Sequence, residues 1–384
     1  MELTKCKLGE LITQRREKND GSDLPICGVS KDGLIPPKQK DADTSIYNVF
    51  YRDDFIFNPA RMELNSIAIN DMYDRAICSS LYEVFYVHRT DLLLPHYLEL
   101  IIRQKWFTRY CEFLGQGSAR EYCRFGNISE IEIEFPPIEE QQKIVEYNTA
   151  IENRIALKQK INDNLVAVGT ASIQKNVGRG ALINLTEAEM DSLTFPEDFK
   201  VKTVSEFCAE TKSGSTPSRI NNEYWENGTI SWVKSGEVHN NITLQTEEYI
   251  TPLGLSESST KLLPKDTVLM AMYGVTAGEV GYLAIEATTN QAICGMICRS
   301  KAEAAYLYFS LIQSQAAISR LSNGGAQDNL SKNFIDNIKI AVPPSEFIEK
   351  LNLAAIVEQM TLNTKEITLL KELQATVLAQ LSSH

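Results

Sequence analysis

Two glycine-containing polar segments carry the side chains best suited to recognition chemistry. In the second half of the chain, "GGAQDNLSK" (residues 324–332) places amide and hydroxyl side chains directly after two glycines, which allow close backbone approach to a ligand. The first half has "GQGSAREYCR" (residues 115–124), with Arg120 at the place of Gln327. Arginine suits guanine and glutamine suits adenine in the major groove. The pair therefore predicts two base readers with different preferences.

A longer segment adds further recognition chemistry. "TKSGSTPSRINNEYWENGTISWVKSGEVHNN" (residues 211–241) combines glycines, small hydroxyls, two tryptophans and basic side chains, and "MYGVTAG" and "TNQA" follow from Met272 and Thr289. Such groups donate to phosphates and to base edges. The candidate DNA contacts over the whole chain are Arg61, Gln116, Ser118, Arg120, Ser215, Thr216, Trp232, Lys234, Tyr273, Gln327, Asn329, Ser331 and Lys332.

Catalytic signatures are absent from the sequence. It contains no GxxxxGK[ST], GxSxG or HExxH pattern, and "FNPAR" at Phe57–Arg61 lacks the second proline and the aromatic residue of a DNA methyltransferase motif. "EDFK" at residues 197–200 has an Asp-x-Lys pair of the kind found by chance. The sequence predicts a chain without a catalytic site, although scattered carboxylates leave a metal nuclease as an alternative.

The eight cysteines form no CxxC pair, and none of the four histidines is paired at helical spacing with another ligand. Isolated cysteines of this type are usually small buried hydrophobes in a reducing compartment. No metal site is predicted.

The elements that position these segments occur twice. Residues 116–137 line up with residues 323–344 without a gap, and each copy ends in a short alternating strand, Pro-Pro and an amphipathic helix. Proline ends a strand and suits the first turn of a helix. Upstream, "RAICSS" from Arg75 aligns with "QAICGM" from Gln291, and "PHYLELIIRQ" from Pro95 with "AAYLYFSLIQ" from Ala305. A repeat this long indicates a duplicated domain rather than a solenoid.

The two helices carry apolar residues in steps of three and four, the pattern of a coiled-coil seam. The seam of the second helix includes two polar positions, Asn363 and Gln374. Packing of each helix on its own domain is the alternative, but helices of ~35 residues exceed the size of such a domain. The candidate pairing residues are Ile144, Tyr147, Ile151, Ile161, Leu165, Met360, Ile367, Leu370, Val377 and Leu381.

These elements divide the chain into a recognition domain (1–137), a long helix (138–176), a linker (177–197), a second recognition domain (198–342) and a second long helix (343–384). The formal charge of −12 argues against DNA binding through overall charge alone. No apolar run is long enough to span a bilayer, and the charged N-terminal residues resemble no export signal, so we expect a cytoplasmic protein with no membrane partner.

The repeat resembles the specificity subunit of type I restriction-modification systems over essentially the whole chain. The resemblance lies in "NGGAQDNLSKNFIDNIKIAVPP", "FPPIEEQQKIV", "SGSTPS", "ISWVKSGE" and "DDFIFNPARMELNSIAI". It implies a mixed α/β (α+β) fold with two similar target-recognition domains joined by two long helices in an antiparallel coiled coil. It also implies a non-catalytic reader of a split double-stranded DNA site.

The resemblance further implies the partners. These would be two modification subunits that bind S-adenosylmethionine, and restriction subunits that use ATP and Mg²⁺; the chain itself would hold no cofactor. Two alternatives stay open: a recognition subunit of a type II-like fused restriction system, and a coiled-coil scaffold that binds no DNA.

Overall fold

Both halves of the chain build the strand, Pro-Pro and helix unit that the sequence repeats. The computed structural model describes residues 3–31, 33–37, 43–115, 122–183, 185, 193, 195–239, 241–322 and 330–382. The chain forms two compact units, Met1–Arg154 with Leu370–His384 and Ile155–Leu369, which we call the first and the second unit.

Within its described residues, the first unit begins with ten strands and three helices and then enters a long helix. Its strands are β1 (Thr4–Lys7), β2 (Ile12–Arg15), β3 (Ile26–Ser30), β4 (Gly33–Ile35), β5 (Asn48–Tyr51), β6 (Phe55–Phe57), β7 (Ile67–Ile69), β8 (Arg75–Cys78), β9 (Glu83–Val87) and β10 (Glu132–Phe135). Its helices are α1 (Pro95–Ile102), α2 (Lys105–Gly115), α3 (Phe125–Ser129) and the start of α4 (Ile138–Asn176), with 3-10 turns at Leu8–Glu10, Thr44–Ile46 and Pro59–Leu64.

The second unit repeats this order. Its strands are β11 (Ala181–Leu182), β12 (Lys200–Thr203), β13 (Glu210–Ser213), β14 (Ile230–Val233), β15 (Ile242–Thr243), β16 (Glu248–Ile250), β17 (Thr267–Ala271), β18 (Val280–Leu283), β19 (Thr288–Thr289), β20 (Ile293–Ile297) and β21 (Lys339–Val342). Its helices are the end of α4, α5 (Val204–Phe207), α6 (Pro252–Ser256), α7 (Lys301–Gln313), α8 (Gln315–Ser322), α9 (Lys332–Asp336), α10 (Ser345–Lys350) and the start of α11 (Leu353–Ser382), which returns to the first unit at Leu370; 3-10 turns lie at Asn222–Tyr224, Ser235–Glu237 and Gly274–Thr276.

The two units share the core of their sheet topology, with β5 added in the first unit and β15 in the second. The larger sheet has the order β2-β9-β6-β7 in the first unit and β13-β20-β17-β18-β15 in the second. In each smaller sheet the first strand pairs parallel with a later one, β3 with β8 and β14 with β19. A third pairing, β1 with β10 and β12 with β21, is antiparallel and leads into the Pro-Pro step. Each unit is therefore a mixed α/β domain, as predicted.

Each large sheet buries one face against helices. In the first unit Phe55 stacks on Phe85 with ring centroids 5.0 Å apart, under α1. In the second unit α7 is buried along most of its length, and the Tyr306 hydroxyl donates to the Ala341 carbonyl at 2.5 Å. Burial of aromatic side chains of this size supplies most of the stabilisation of such cores.

Helix α4 shows how local sequence sets the ends of an element. Glu139 and Glu140 occupy its first turn and Lys175 its last, which complements the helix dipole at both ends. Gly178 then takes φ +81° and donates to the Ile173 carbonyl at 3.1 Å, as glycine commonly does after a helix.

Three sequence-based expectations need correction. The second long helix is interrupted, because Asn352 adopts φ +52° between α10 and α11, a conformation that asparagine tolerates better than most residues. Part of the expected linker is a strand, since β11 pairs with β21. The alignment of "RAIC" with "QAIC" is wrong: the first forms β8, the counterpart of β19, whereas the second leads into β20, the counterpart of β9.

Candidate nucleic-acid interface

Four loops of the second unit meet at one edge of its large sheet. Ser213, at the end of β13, faces Cys294, and Ala271, at the end of β17, faces Ile293. The turn between β19 and β20 reaches the same edge, where the Asn290 amide donates to the Val233 carbonyl at 3.0 Å. The loops that follow β13, β14, β17 and β19 therefore lie together. They contain Ser215, Thr216, Lys234 and Tyr273 of the predicted contacts.

The glycine-rich segment ends at this edge as well. The Leu330 amide donates to the carbonyl of Met272 at 2.9 Å, next to Tyr273. Gln327 and Asn329 lie outside the described residues. The Ser331 hydroxyl accepts from the Phe334 amide at 3.0 Å and so caps α9. Backbone pairing thus anchors the end of the segment beside the β17 loop.

Lys332 is held within the unit. Its ammonium donates to Asp336 at 2.6 Å and to the Thr211 hydroxyl at 2.7 Å. Thr211 in turn donates to the other oxygen of Asp336 at 2.7 Å. These contacts tie α9 to β13, which gives Lys332 a positioning part in the arrangement.

Trp232 lies under the loops rather than on them. It is 2% exposed, and its indole Nε1 donates to the Ser215 carbonyl at 3.0 Å. The Ser215 amide donates to the Thr289 carbonyl at 2.9 Å, and its hydroxyl accepts from Ser259 at 2.8 Å. Ser215 is therefore fixed from three sides. The buried indole has its one donor satisfied by this bond.

Two cations at the edge are neutralised by carboxylates. Lys234 lies 2.5 Å from Glu247 and 3.3 Å from Glu248, and the hydrogen bond that its ammonium donates to Glu247 is the main cause that raises the Lys234 pKa. Arg219 stacks on Trp225 with its guanidinium 3.6 Å from the ring centroid and pairs with Glu248. The hydrogen bond from Arg219 lowers the pKa of Glu248. The loop surface here is firmly held and close to neutral.

Tyr273 and Gln291 are different, because they remain accessible. Tyr273 is 39% exposed, and its hydroxyl makes no hydrogen bond to any residue that the structure describes. The Thr216 hydroxyl donates to Gln291 Oε1 at 2.6 Å, which orients the exposed amide. Gln291 belongs to the polar string "TNQA" but is absent from the predicted DNA contacts; its position in a short turn between two strands is the signal that could have identified it.

The first unit has the same edge with other side chains. The loop after β6 carries Arg61 in the 3-10 turn Pro59–Leu64, and the Cys123 amide donates to the Pro59 carbonyl at 3.1 Å, the counterpart of the bond from Leu330 to Met272. The exposed Arg61 guanidinium has no ion-pair or hydrogen-bond partner in the described part of the chain. Gln116, Ser118 and Arg120 lie outside the described residues.

A cleft of about 1100 Å³ opens beside Arg61. Its lining comes from β3 and β4 and from the loops after β6 and β8. Cys27, Val29 and Ile35 give it an apolar floor, whereas Asn58 and Ser79 add polar groups. Its position at the same edge makes it the first-unit counterpart of the loop surface in the second unit.

The long helices pair, and polar side chains bridge them in both units. In the second unit Asn363 donates to Asn162 at 2.9 Å, and Lys158 lies 2.9 Å from Glu366. In the first unit Gln374 donates to Asn148 at 2.9 Å. Residue numbers rise along α4 as their partners fall along α11, so the helices are antiparallel in both units.

Most predicted seam residues are at least half-buried, but Ile144 packs against the core of the first unit, and Leu165 and Met360 pack in the core of the second. Met360 and Ile367 are buried, and six are half-buried: Ile144, Ile151, Ile161, Leu165, Leu370 and Val377. Tyr147 is 65% exposed, since the buried position belongs to Asn148 one residue later. The side chain of Leu381 lies outside the described residues.

The described residues contain no cluster of three or more side chains able to hold a metal ion. Within the same part of the chain, no helix is both long and apolar enough to cross a membrane.

Comparison with known proteins decides the family. The model of the type I restriction modification DNA specificity domain matches residues 6–167 and again residues 196–375. The chain belongs to this family. Specificity subunits are the non-catalytic component of type I restriction-modification systems, so the family agrees with the absence of catalytic motifs in the sequence. The resemblance found in the sequence and the expectation of two recognition domains are confirmed.

Individual specificity subunits show the same relationship. The chain is 25% identical over 200 residues to the specificity subunit of a type I restriction enzyme from Escherichia coli, covering 51% of this chain and 46% of that protein. A second, from Haemophilus influenzae, is 22% identical over 357 residues, covering 76% of this chain and 77% of the relative.

A solved structure shares the fold. The S subunit of a type I restriction-modification system from M. genitalium superposes with a TM-score of 0.57 at 15% identity, covering 99% of this chain and 96% of that one. The fold of a specificity subunit, with two domains and joining helices, is thus reproduced at low sequence identity.

Proposed function

We propose that this chain reads a bipartite site in double-stranded DNA, each unit reading one half. The observation that carries the proposal is the repeated edge: two units of one topology present corresponding loops with different side chains. The second unit offers the exposed Tyr273, and the first offers Arg61 beside a cleft. Because side-chain chemistry determines which base edge is bound, two unlike halves follow.

The paired helices would set the gap between the two halves. A helix of ~35 residues is ~50 Å long, and half-sites one DNA turn apart are ~34 Å centre to centre. The length of the helix pair would then determine the distance between the two half-sites. The polar contacts Asn162–Asn363 and Asn148–Gln374 favour one register of the pair, as single polar residues do in coiled-coil seams.

We further propose that the helices dock two modification subunits. Exposed leucines and a valine lie on both helices of the second unit: Leu157, Val168, Leu362 and Leu369. Apolar side chains at heptad-like spacing on an exposed helix face suit a partner helix. The modification subunits would bring S-adenosylmethionine, and restriction subunits would bring ATP and Mg²⁺. The complex would act in the cytoplasm, on the host's DNA.

Partner subunits would also supply the positive charge that this acidic chain lacks for contacts to DNA phosphates. The chain carries a formal charge of −12, and Lys234, Arg219 and Lys332 are each engaged by carboxylates. Phosphate neutralisation supplies much of the affinity of any DNA-binding protein. We therefore expect the modification subunits to provide most of the phosphate contacts, while this chain selects the sequence.

Methylation mapping tests the proposal. The chain is co-expressed with the modification subunit of its own system, and host DNA is sequenced by a method that detects methylated bases. We expect a split motif with two unlike halves and a fixed gap. Arg61→Ala should alter only one half, and Tyr273→Ala only the other.

The controls separate the alternatives. A stable complex that adds no methylation would favour a scaffold without DNA binding. A continuous motif, or one that changes in both halves with either variant, would contradict the assignment of one unit to each half. A restriction activity on the same polypeptide as the methyltransferase would indicate a type II-like system.

A further inference from the structure

In both units a short turn joins the small sheet to the large sheet. It lies at the edge of the large sheet where the candidate recognition loops meet, which we call the reading edge. In the first unit it runs from Ser79 to Tyr82, between β8 and β9, and in the second from Asn290 to Ala292, between β19 and β20. Counting back from the pairs Phe57–Glu83 and Ala271–Ile293 places Leu81 and Gln291 at corresponding positions. Neither residue was predicted as a DNA contact from the sequence.

Both turns are fixed in the same way. The Ser79 hydroxyl accepts from the Leu81 amide at 3.3 Å, and the Asn290 side chain accepts from the Ala292 amide at 3.1 Å. In each case the first residue of the turn binds the backbone two residues later, a local bond that holds a turn rigid. The side chains of Leu81, which is 78% exposed, and Gln291 project from this rigid base into solvent.

The amide of Gln291 is oriented for a particular partner. The Thr216 hydroxyl donates to its Oε1 at 2.6 Å, which leaves a second lone pair on that oxygen. Its Nε2 makes no hydrogen bond to any described residue. An amide held like this presents one acceptor and one donor side by side, the pair that matches N6 and N7 of adenine in the major groove.

Among the residues that the structure describes, the other candidate DNA contacts near this edge do not present a donor and an acceptor side by side. Lys234 and Lys332 are engaged by carboxylates, and the donor of Trp232 is bound to Ser215. At the equivalent place in the first unit, Leu81 has no polar group. It lines the cleft beside Arg61 and offers an apolar surface of the kind that contacts the methyl group of thymine.

We propose that this turn carries a base-specifying side chain in each unit, Gln291 for adenine in one half-site and Leu81 for thymine in the other. The inference rests on the proposed function, which supplies the DNA. Thr216 is a positioning residue, because it acts through Gln291.

The test uses the full complex with its modification subunit and maps methylation in host DNA. Gln291→Ala should reduce discrimination at one base pair of one half-site roughly tenfold or more. Gln291→Glu keeps the size of the side chain and replaces the donor by an acceptor, so the preference at that base pair should change from adenine to cytosine. Thr216→Val should weaken discrimination at the same base pair.

Leu81→Ala is the matched control in the other unit. It should relax a thymine position roughly fivefold in the opposite half-site and leave the Gln291 position unchanged. Co-purification of each variant with the modification subunit verifies folding. A change of preferred base is an effect that loss of stability does not produce.

Two results would overturn the proposal. One is a wild-type motif with full discrimination at every position in Gln291→Ala and Gln291→Glu. The other is a change spread over both half-sites. If the wild-type complex itself yields no split motif, the proposed function fails instead, and the two failures are thereby distinguished.

Discussion

Basic side chains at the two reading edges differ in whether a carboxylate holds them. Arg15 ends β2 and is gripped by Asp54 through bonds of 2.6 and 3.0 Å, between the rings of Tyr51 and Tyr86. Lys332 is similarly bound in the second unit, whereas Arg61 is not. Sequence identifies these residues as cations but cannot assign their partners, because Asp54 lies 39 positions from Arg15. Residue type therefore predicts the chemistry of a side chain, but not whether an ion-pair partner already engages it.

Asp54→Asn should destabilise the chain by about 3 kcal/mol. It removes the carboxylate that pairs with the partly buried Arg15, and the new amide nitrogen cannot accept the hydrogen bonds that the carboxylate oxygen accepted. Urea unfolding measures the change. Asp74→Asn is the control: Asp74 pairs with Arg52 but its side chain is 92% exposed, so we expect less than about 1 kcal/mol. Equal losses of unfolding free energy in the two variants would show that the Arg15–Asp54 pair stabilises the fold no more than a surface ion pair does.

At the scale of elements, the end of the repeat was readable from sequence and its earlier part was not. The matched stretches form α3 with β10 and α9 with β21 at corresponding positions. Upstream, short apolar strands resemble one another too closely, and "RAIC" was matched to the wrong strand. The seam of α4 was misplaced at Tyr147 because Asn148, a polar residue, occupies the buried position. Apolar periodicity alone does not reveal a polar residue that is buried with a partner.

At Gly169, the neighbouring ring of Phe309 leaves no room for a side chain on the helix. It lies inside α4, and a Cβ there would stand 2.3 Å from the ring of the buried Phe309. Gly169→Ala should destabilise by about 2 kcal/mol, although alanine favours a helix by about 1 kcal/mol, because overpacking outweighs propensity. Thermal and urea unfolding report the change.

Gly126→Ala is the matched control in α3, where a Cβ would have no atom within 4 Å. We expect it to be neutral or stabilising by up to about 1 kcal/mol. A stabilising effect of Gly169→Ala would mean that α4 lies farther from α7 than described.

The polar contact between the long helices gives another prediction at this scale. Asn363→Leu removes the bonds that Asn162 and Lys158 make to this residue, although Lys158 keeps Glu366, and should cost about 2 kcal/mol. Adding Asn162→Leu should recover part of the loss, giving a coupling energy of about 1 kcal/mol in a double-mutant cycle measured by urea unfolding. Asn164→Leu, exposed on the same helix, should change stability by less than about 0.5 kcal/mol. Strictly additive effects would contradict the pairing.

At the scale of the whole molecule, the acidic composition predicts how the chain binds DNA. An acidic chain with two reading edges should recognise DNA without holding it tightly. Fluorescence anisotropy of the isolated chain on a duplex should give a Kd at or above about 1 μM, as for weak non-specific binding. Adding modification subunits should tighten binding and steepen its salt dependence. Nanomolar binding by the chain alone, falling steeply from 50 to 200 mM salt, would contradict this division of labour.

The anchor of the glycine-rich segments bears on how such a protein changes over generations. The bonds from Cys123 to Pro59 and from Leu330 to Met272 join backbone atoms only. Mutations that replace side chains in the neighbouring loops leave these bonds intact. If the chain reads DNA as proposed, selection for a new target sequence can act on exposed side chains such as Tyr273 and Arg61 in one unit without breaking the backbone bonds of either.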